Sequence, residues 1–447
     1  MTSCLFKPHS EWPVIGTYDV AVMGAGPSGI GAAVSAARMG MKTIIIEKYG
    51  SPGGVATLSN VPYYMGFGAD GQQMIAGLAE ELIRDLDAIG AASVVNDAVP
   101  IPEYKPVGGR ALTGHVLSTS ENIRLVINRK LELAGVTRLY YASLIGTVVE
   151  DGYVTAAAVD CAEGPGLIKA KAFVDGTGDA QLVYRAGGQV REYSVEDSMH
   201  KSIFFDIGGV TLYDVQENKK LYKELFAQGK TPPGLLDYFA CLNKLESGMV
   251  KMCLTKAVGQ ALSSSEMTRM DIEMREQIPE IVDFLRREMP GFSQCYVVHS
   301  GIHIGVRAGR GIVGIETLTR RDIDEQIPVK EPVAIISRTY GSHSVKKDFI
   351  PQWRKVQPGF HAIPWRALMP VGFKNVMAGG RAISVEPQVL DVLRLAPRCM
   401  TIGQAAGVTA ALSAMQGIEI PQIRYDQVKK HLLDLNVILE MPVPAAK

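Results

Sequence analysis

A glycine-rich segment near the N-terminus carries the clearest chemical pattern in this 447-residue chain. Residues Gly24–Gly29 read GAGPSG, a G-x-G-x-x-G pattern that can hold a pyrophosphate. Gly24 permits a tight turn, Gly26 leaves room for an anion beside the backbone, and Gly29 lets a helix pack closely on a sheet. Free N–H groups and the dipole of a helix starting here would favour negative charge.

The flanking residues predict the strand, helix and strand that such a turn requires. Tyr18–Met23 is a short, mostly apolar run typical of a buried parallel strand. Ser28–Met39 is rich in small residues and ends before Gly40, as a helix with a glycine C-cap does. Lys42–Glu47 predicts a second buried strand, and Glu47 at its end can accept hydrogen bonds from ribose hydroxyls. The sequence therefore predicts a βαβ unit that binds a dinucleotide.

The next residues favour FAD over NAD as that dinucleotide. Residues 47–57 read EKYGSPGGVAT, with a basic residue after the acid and then the pair Gly53-Gly54. Two glycines let the backbone lie against a second, deeper part of the ligand. A protein that binds only NAD has no particular need of this contact, so the expected cofactor is FAD.

Hydrophobic patterns along the rest of the chain predict alternating helices and strands. Helices are predicted at residues 71–89, 120–134 (with Ser120 as N-cap) and 399–415, a β-hairpin at 152–174, and a long helix opened by a Ser263–Glu266 capping box. Pro279 should kink that long helix. Met267, Met270 and Met274 share one of its faces, which we interpret as core.

Composition excludes several classes of partner. The 46 basic and 46 acidic residues cancel, so no net field attracts nucleic acid or an anionic membrane. No run of 18 apolar residues predicts a membrane span, and the first residues lack the apolar stretch of an export signal, so we expect a cytoplasmic protein. The six cysteines are scattered without a C-x-x-C pair. We interpret them as reduced thiols and predict no metal site.

Four stretches resemble the FAD-dependent oxidoreductases whose flavin domain is of the glutathione-reductase type. Within them the chain is most similar to a broad bacterial group distantly related to the fumarate reductase and succinate dehydrogenase flavoproteins. The four stretches are DVAVMGAGPSGIGAAVSAARMGMKTIIIEKYGSPGG (19–54), IKAKAFVDGTGDAQLVYRAGG (168–188), IPWRALMPVGFKNVMAGGRAIS (363–384) and LRLAPRCMTIGQAAGVTAAL (393–412).

The resemblance and the element pattern together imply the fold class. The chain is expected to be α/β, with a Rossmann-type, glutathione-reductase-like FAD/NAD(P)-binding domain formed by residues 14–190 and 355–447. An α+β substrate domain is expected as an insertion at residues 191–354.

The resemblance also implies an FAD site, residue by residue. The glycine turn would hold the pyrophosphate, Glu47 and Lys48 the adenosine side, and a T-G-D turn and an A-G-R turn the middle of the cofactor. A helix beginning after Arg394 would point its N-terminus at the pyrimidine end of the flavin, where positive charge stabilises the reduced form. The implied contacts are Gly24, Gly26, Pro27, Ser28, Gly29, Glu47, Lys48, Gly54, Val55, Thr57, Ile145, Thr177, Gly178, Asp179, Gly380, Arg381 and Arg394.

Three candidate catalytic residues come from departures within the resemblance. His343 matches the histidine of a D-x-H stretch in which Gly341 replaces the aspartate, and an imidazole suits proton transfer near neutral pH. Arg307 and Arg310 match a segment normally richer in arginine and would bind a substrate carboxylate. A purely structural role stays open for each. His299 and His303 lie nearby, but two histidines are too few for a metal site.

The expected function is hydride transfer between flavin N5 and a small polar organic substrate bound between the two domains. Two alternatives stay open. One is a flavin monooxygenase, echoed by Asp175-Gly176 and Arg185; the other is a flavoprotein with a redox-neutral or structural FAD. No second G-x-G-x-x-G occurs in a strand–helix setting, so the electron acceptor is unknown. The oligomeric state is also open, with a homo-oligomer as one arrangement.

Overall fold

The fold is taken from a computed structural model. It describes residues 12–69, 71–95, 111–211, 214–245, 248–337 and 359–440. His343 and Gly341 lie outside the described residues, so the role predicted for His343 stays a prediction.

Strands and helices alternate through much of the chain. The strands are β1 (Val14–Met23), β2 (Thr43–Ile46), β3 (Tyr63–Tyr64), β4 (Gly68–Ala69), β5 (Gln72–Gln73), β6 (Ser93–Val95), β7 (His115–Leu117), β8 (Thr137–Leu139), β9 (Ser143–Glu150), β10 (Tyr153–Cys161), β11 (Gly164–Asp175), β12 (Val190–Glu192), β13 (Phe205–Gly208), β14 (Cys241–Leu245), β15 (Met249–Met252), β16 (Tyr296–Ser300), β17 (Arg310–Ile312), β18 (Pro332–Ser337), β19 (Phe360–Pro364) and β20 (Val376–Ala378). The α-helices are α1 (Pro27–Arg38), α2 (Val55–Leu58), α3 (Leu78–Ala88), α4 (Ser120–Leu133), α5 (Gln181–Arg185), α6 (Val215–Ala227), α7 (Ser264–Glu288), α8 (Arg320–Asp324), α9 (Leu390–Leu393), α10 (Ala396–Gln416) and α11 (Tyr425–Asp434).

The main sheet joins strands from both ends of the chain. Its order is β8-β2-β1-β11-β10-β9, with β8, β2, β1 and β11 mutually parallel. The first half of β11 pairs antiparallel with β10, as the predicted hairpin requires, and its last residues pair in parallel with β20. A parallel sheet flanked by helices, with a glycine turn after β1, is a Rossmann-type arrangement, so the predicted α/β fold is confirmed.

Helices α1 and α10 pack with their backbones almost in contact. A Cβ added to Gly403 would lie 2.0 Å from the carbonyl oxygen of Ser28, and one added to Gly407 would lie 2.2 Å from that of Ala32. The two helix backbones can approach this closely only because Gly403 and Gly407 have no side chain. The small residues that predicted both helices are therefore required by this contact.

A second core lies in the middle of the chain. Its sheet has the order β14-β15-β13-β16 and packs with α6 and α7; the buried side chains run from Ile203 to Val306. Met270 and Met274 are fully buried in it, which confirms the interpretation of the methionine face. Residues 333–336 instead join the core of the main sheet. The domain boundaries after residues 190 and 354 stay predictions.

Two element ends differ from the sequence prediction. The helix predicted at residues 71–89 begins only at Leu78, because Gly77 adopts a left-handed conformation (φ 63°) and the residues before it form β5 and a loop. Thr119, and not Ser120, caps α4 by accepting a hydrogen bond from the backbone N–H of Asn122.

The long helix α7 was predicted to begin with a capping box and to bend at Pro279. Ser263 accepts the backbone N–H of Glu266, as a capping box requires, but the Glu266 carboxylate pairs with Arg269. The helix continues through Pro279. None of the helices in the described residues combines the length and the apolar character needed to cross a membrane.

We expect Gly407→Val to lower the free energy of unfolding by about 3 kcal/mol, because overpacking at a tight contact costs about that much. The new side chain would meet the α1 backbone at Ala32, which cannot move as a flexible side chain can. Met415→Val on the same helix is the control, since Met415 is 52% exposed. Urea unfolding followed by circular dichroism measures both. Equal stability of the two variants would contradict the close contact.

Candidate functional site

The glycine turn after β1 has the shape that an anion site needs. Gly24 has φ 92°, and its N–H donates to the carbonyl oxygen of Ile46 at 2.7 Å. A Cβ on Gly29 would lie 1.8 Å from the Gly24 oxygen, whereas one on Gly26 would meet only the Gly176 oxygen at 4.0 Å. Gly29 is therefore a packing residue, and Gly26 leaves open space beside the backbone.

Glu47 ties this turn to the end of β2. It is 7% exposed, and its carboxylate accepts the backbone N–H of Ala25 at 2.8 Å and that of Tyr49 at 3.2 Å. Burial raises the pKa of Glu47, and the two backbone donors and Lys48 act against that rise. Each oxygen still has a lone pair for another donor, so Glu47 both fixes the turn and can accept from a ligand hydroxyl.

A second backbone segment lies directly against the turn. The N–H of Gly53 donates to the Ala25 oxygen at 2.8 Å. Gly54 has φ 55°, and a Cβ on it would lie 3.0 Å from the Gly26 Cα. Thr57 holds the loop through its hydroxyl, which donates to the Pro52 oxygen at 2.7 Å. The structure thus brings the two predicted glycine segments together.

Asp175, the last residue of β11, holds the predicted T-G-D turn by hydrogen bonds. It is fully buried and accepts four hydrogen bonds: from the N–H and hydroxyl of Thr177 at 3.1 and 2.6 Å, and from the N–H groups of Leu182 and Val183 at 2.8 and 3.1 Å. Burial raises the pKa of Asp175, and these bonds oppose the rise. The sequence analysis used Asp175 only as part of a faint monooxygenase motif. An acidic residue at the end of a buried strand could have indicated its role in holding the turn.

The T-G-D turn also contacts the late A-G-R turn and the second core. Asp179 and Arg381 form an ion pair of 2.7 Å, and their side chains are 18% and 17% exposed. A Cβ on Gly309 would lie 2.2 Å from Asp179 Oδ1. Residues predicted as separate cofactor contacts therefore meet at one place.

Several buried donors near these turns have no hydrogen-bond partner in the described part of the chain. They are Ser28 Oγ, Arg381 Nη1 and Arg394 Nε. Buried polar groups are nearly always paired, so these atoms indicate a bound group that offers acceptor oxygens. Phosphate and flavin carbonyl oxygens are such acceptors, and Gly26 leaves room for them. The residues present fit FAD.

Arg394 stands just before α10. Its Nη2 donates to Asp391 at 3.0 Å, so its charge is partly offset. Helix α10 begins at Ala396 without a side-chain cap, which leaves its first N–H groups available. The positive end of the α10 dipole therefore lies beside Arg394, and the effect of both on the flavin stays a prediction.

Ile145 has no backbone hydrogen bond in the described residues to the Glu47–Tyr49 segment, which holds the other predicted adenosine contacts. It lies on β9, and its carbonyl oxygen accepts from Arg185 Nη1 at 3.1 Å. The backbone bonded to the Glu47–Tyr49 segment belongs to earlier residues: Ala142 N–H donates to the Glu47 oxygen at 3.0 Å and Tyr141 N–H to the Tyr49 oxygen at 3.2 Å. The adenine contact assigned to Ile145 stays a prediction.

The two candidate catalytic arginines have different partners. Arg307 is 9% exposed and donates to the His200 oxygen at 2.6 Å and to Ser202 Oγ at 2.8 Å, and no carboxylate of the described residues pairs with it. Burial lowers the pKa of Arg307. Arg310 pairs with Glu192 at 2.8 Å and stacks 3.8 Å over the Tyr184 ring.

Sheet order, glycine turn and partnerless buried donors define a Rossmann-type flavoprotein. The family model of FAD dependent oxidoreductases matches residues 19–432. The chain belongs to this family, is an enzyme, and uses FAD as its cofactor.

Three similar proteins show how far the likeness extends. Thioredoxin reductase of Ureaplasma parvum is 32% identical over 123 residues, 26% of this chain and 39% of that protein, so the match spans about two fifths of that relative. Thiamine thiazole synthase of Methanococcus maripaludis is 26% identical over 239 residues, 51% of this chain and 81% of that protein. A solved geranylgeranyl bacteriochlorophyll reductase-like protein of Thermoplasma acidophilum gives a TM-score of 0.49 at 14% identity, covering 94% of this chain and 82% of that one.

We expect Asp175→Ala to lower the free energy of unfolding by about 3–5 kcal/mol, because it leaves buried N–H groups without an acceptor. Asp175→Asn is the matched control, since its one oxygen can still accept from Leu182 and Val183; we expect a loss of about half that size. Denaturant unfolding monitored by fluorescence gives both values. An alanine variant as stable as the asparagine variant would show that the four bonds do not hold the turn.

Proposed function

We propose that this enzyme transfers a hydride between flavin N5 and a small polar organic substrate bound between the main sheet and the second core. The observation that carries the proposal is Arg307, a buried guanidinium with no carboxylate partner among the described residues. A buried cation of this kind suits an anionic substrate group. Bound FAD supplies two-electron redox chemistry.

The site residues divide the binding of FAD between them. The turn containing Gly24, Gly26, Pro27, Ser28 and Gly29 holds the pyrophosphate. Glu47 and Lys48 bind the adenosine side, with Ile145 as a further backbone contact. The ribityl chain and flavin edge contact the remaining residues, which are Gly54, Val55, Thr57, Thr177, Gly178, Asp179, Gly380, Arg381 and Arg394. Support comes from the close approach of these segments and from the partnerless donors on Ser28, Arg381 and Arg394.

Both arginines are proposed to contact the substrate, Arg307 through its charge and Arg310 through one hydrogen bond. Arg307 donates to two uncharged oxygens, and no carboxylate of the described residues pairs with it, so its charge is available to bind a substrate carboxylate. Arg310 is neutralised by Glu192, but its buried Nη1 has no hydrogen-bond partner among the described residues, so it would add one hydrogen bond. His343 stays a proposed acid or base.

Flavin bleaching is the experiment that tests the proposed function. Wild-type enzyme is mixed without oxygen with small hydroxy acids, sugars and unsaturated acids, after chemical reduction of the flavin for the last group. We expect one class to change the flavin redox state. Oxygen-dependent insertion of an oxygen atom into product would favour the monooxygenase instead, and flavin that no candidate reduces or reoxidises would favour the redox-neutral role.

Replacing Glu47 tests the cofactor site. We expect Glu47→Gln to keep the bond to Ala25 N–H but to weaken FAD binding about tenfold, because hydrogen bonds to a charged acceptor are stronger by about 1 kcal/mol or more. The FAD dissociation constant is measured by quenching of flavin fluorescence on titration of the apoprotein. Glu150→Gln, at an exposed position of β9, is the control and should bind FAD as the wild type does. Unchanged binding by both variants would remove Glu47 from the site.

Replacing Arg307 tests the substrate site. We expect Arg307→Lys to raise about tenfold or more the concentration of an anionic substrate that half-saturates flavin bleaching, because lysine cannot bind a carboxylate with two parallel N–H groups. An uncharged substrate should be little affected. Arg310→Lys, which can retain the Glu192 pair, should show a smaller effect. Equal loss for charged and uncharged substrates would indicate a structural role for Arg307.

A further inference from the structure

A short segment, residues 301–309, leaves the second core and runs from the loop of residues 47–59 (the FAD loop) to the T-G-D turn. At one end, a Cβ on Gly301 would lie 2.8 Å from the backbone of Ser59, and His303 N–H donates to the Leu58 oxygen at 3.1 Å. At the other end, Gly309 lies against Asp179. Residues 303–308 therefore lie between two parts of the proposed FAD site, although they belong to neither.

Side chains of this segment differ in their surroundings. Ile304 and Val306 are 2% and 8% exposed and are packed in the second core. His303 is only partly buried and is outside that core. Its ring meets the edge of Tyr49, with 5.5 Å between ring centroids, and Tyr49 follows directly after the proposed adenosine contacts. His303 is thus an ionisable side chain that faces the FAD loop, and Asp206 of β13 reaches the neighbouring Asn60.

The hydrogen bonds of His303 fix the state of its ring. Nδ1 lies 2.6 Å from the carbonyl oxygen of Ile304, and a carbonyl oxygen can only accept, so Nδ1 carries the proton. In the neutral imidazole the other nitrogen, Nε2, then holds a lone pair. Within the described residues the ring makes its hydrogen bond through Nδ1, and Nε2 makes none. The ring is therefore oriented as a proton acceptor.

The surrounding charges keep this acceptor neutral. Burial lowers the pKa of His303, and the positive charges of Lys48 and Arg381 lower it further. The hydrogen bond to Ile304 and the Asp179 carboxylate act in the opposite direction, and the net shift is downward. A histidine with a lowered pKa stays unprotonated at neutral pH and becomes protonated only as the pH falls below its ordinary range.

We propose that His303 is the general base that removes the hydroxyl proton of an alcohol substrate. The inference rests on the proposed function and makes it specific: the substrate is a hydroxy acid whose carboxylate binds Arg307. The O–H proton passes to Nε2, the O–H electron pair forms the new C=O bond, and the hydrogen on carbon leaves with its electron pair for oxidised FAD. The substrate loses two electrons, which FAD gains, and the proton on Nε2 is released to solvent.

The spacing of the two residues agrees with this substrate class. Only three residues separate His303 from Arg307, and the middle one, Gly305, has no side chain. A Cβ there would meet only the Ser202 oxygen, at 3.0 Å. Gly305 therefore packs against Ser202, with which it forms an antiparallel bridge. Residues two positions to either side of a bridged residue start from the same side of an extended segment, as a small molecule with a hydroxyl and a carboxylate requires of His303 and Arg307.

His303→Gln tests the assignment, because glutamine is similar in size but cannot accept a proton at this position. We expect the rate of anaerobic flavin bleaching by a hydroxy acid to fall 100-fold or more, within the range usual for loss of a general base. The fall in wild-type rate at low pH should disappear. Reduction by dithionite and the FAD dissociation constant should not change. His299→Gln, an exposed histidine on β16, is the matched control and should retain the wild-type rate.

A second measurement does not depend on turnover. Nitrogen NMR of protein labelled at histidine, with signals assigned from the two variants, should show His303 with its proton on Nδ1 and a pKa below the usual histidine value. A proton on Nε2, or a histidine variant that keeps both the rate and the low-pH limb, would overturn the assignment while leaving the proposed function intact. Wild-type flavin that no hydroxy acid reduces would overturn the hydroxy-acid substrate itself.

Discussion

The first turn of α1 is enclosed by backbone that only glycine can provide. A Cβ on Gly176 would lie 2.8 Å from the Gly29 Cα, and one on Gly379 would lie 2.1 Å from Ser28 Oγ. These contacts bring the start, the middle and the end of the chain to one point, where Gly403 of α10 also meets the Ser28 oxygen. Larger residues at these positions would separate the layers, so the anion-binding turn and the helix packing depend on the same absence of side chains.

Around the first turn of α1, the buried acceptors have hydrogen-bond partners, whereas several buried donors have none in the described residues. The buried carboxylates Glu47 and Asp175 are satisfied by backbone N–H groups, which fix the turns next to them. Ser28, Arg381 and Arg394 instead keep buried donor atoms without partners in the described residues. Since an unmet buried donor costs about 1–3 kcal/mol, a cofactor rich in oxygen acceptors stabilises what the protein alone leaves unsatisfied. Binding of FAD and stability of this region are therefore linked.

Sequence patterns predicted the parts of the fold that depend on local spacing. The βαβ unit, the hairpin and α10 follow from runs of apolar or small residues, and their positions agree with the structure within a few residues. The helix expected at residues 71–89 begins late because the left-handed Gly77 overrides its apolar period. Asp175 was underused although its partners Thr177, Leu182 and Val183 follow within eight positions. His303 was considered only as a metal ligand, because its contacts with Leu58 and Tyr49 are distant in sequence.

Arg307 and Arg310 show why residue type alone did not separate function from packing. Both are nearly buried arginines on one short segment, and sequence reasoning gave them the same role. Glu192, on a strand that pairs with β17, neutralises Arg310, whereas the partners of Arg307 are a carbonyl, a hydroxyl and the Cys253 thiol. The two arginines therefore differ in whether another element places a carboxylate beside them. The partner that another strand supplies, and not the residue type, therefore distinguishes Arg307 from Arg310 within this one segment.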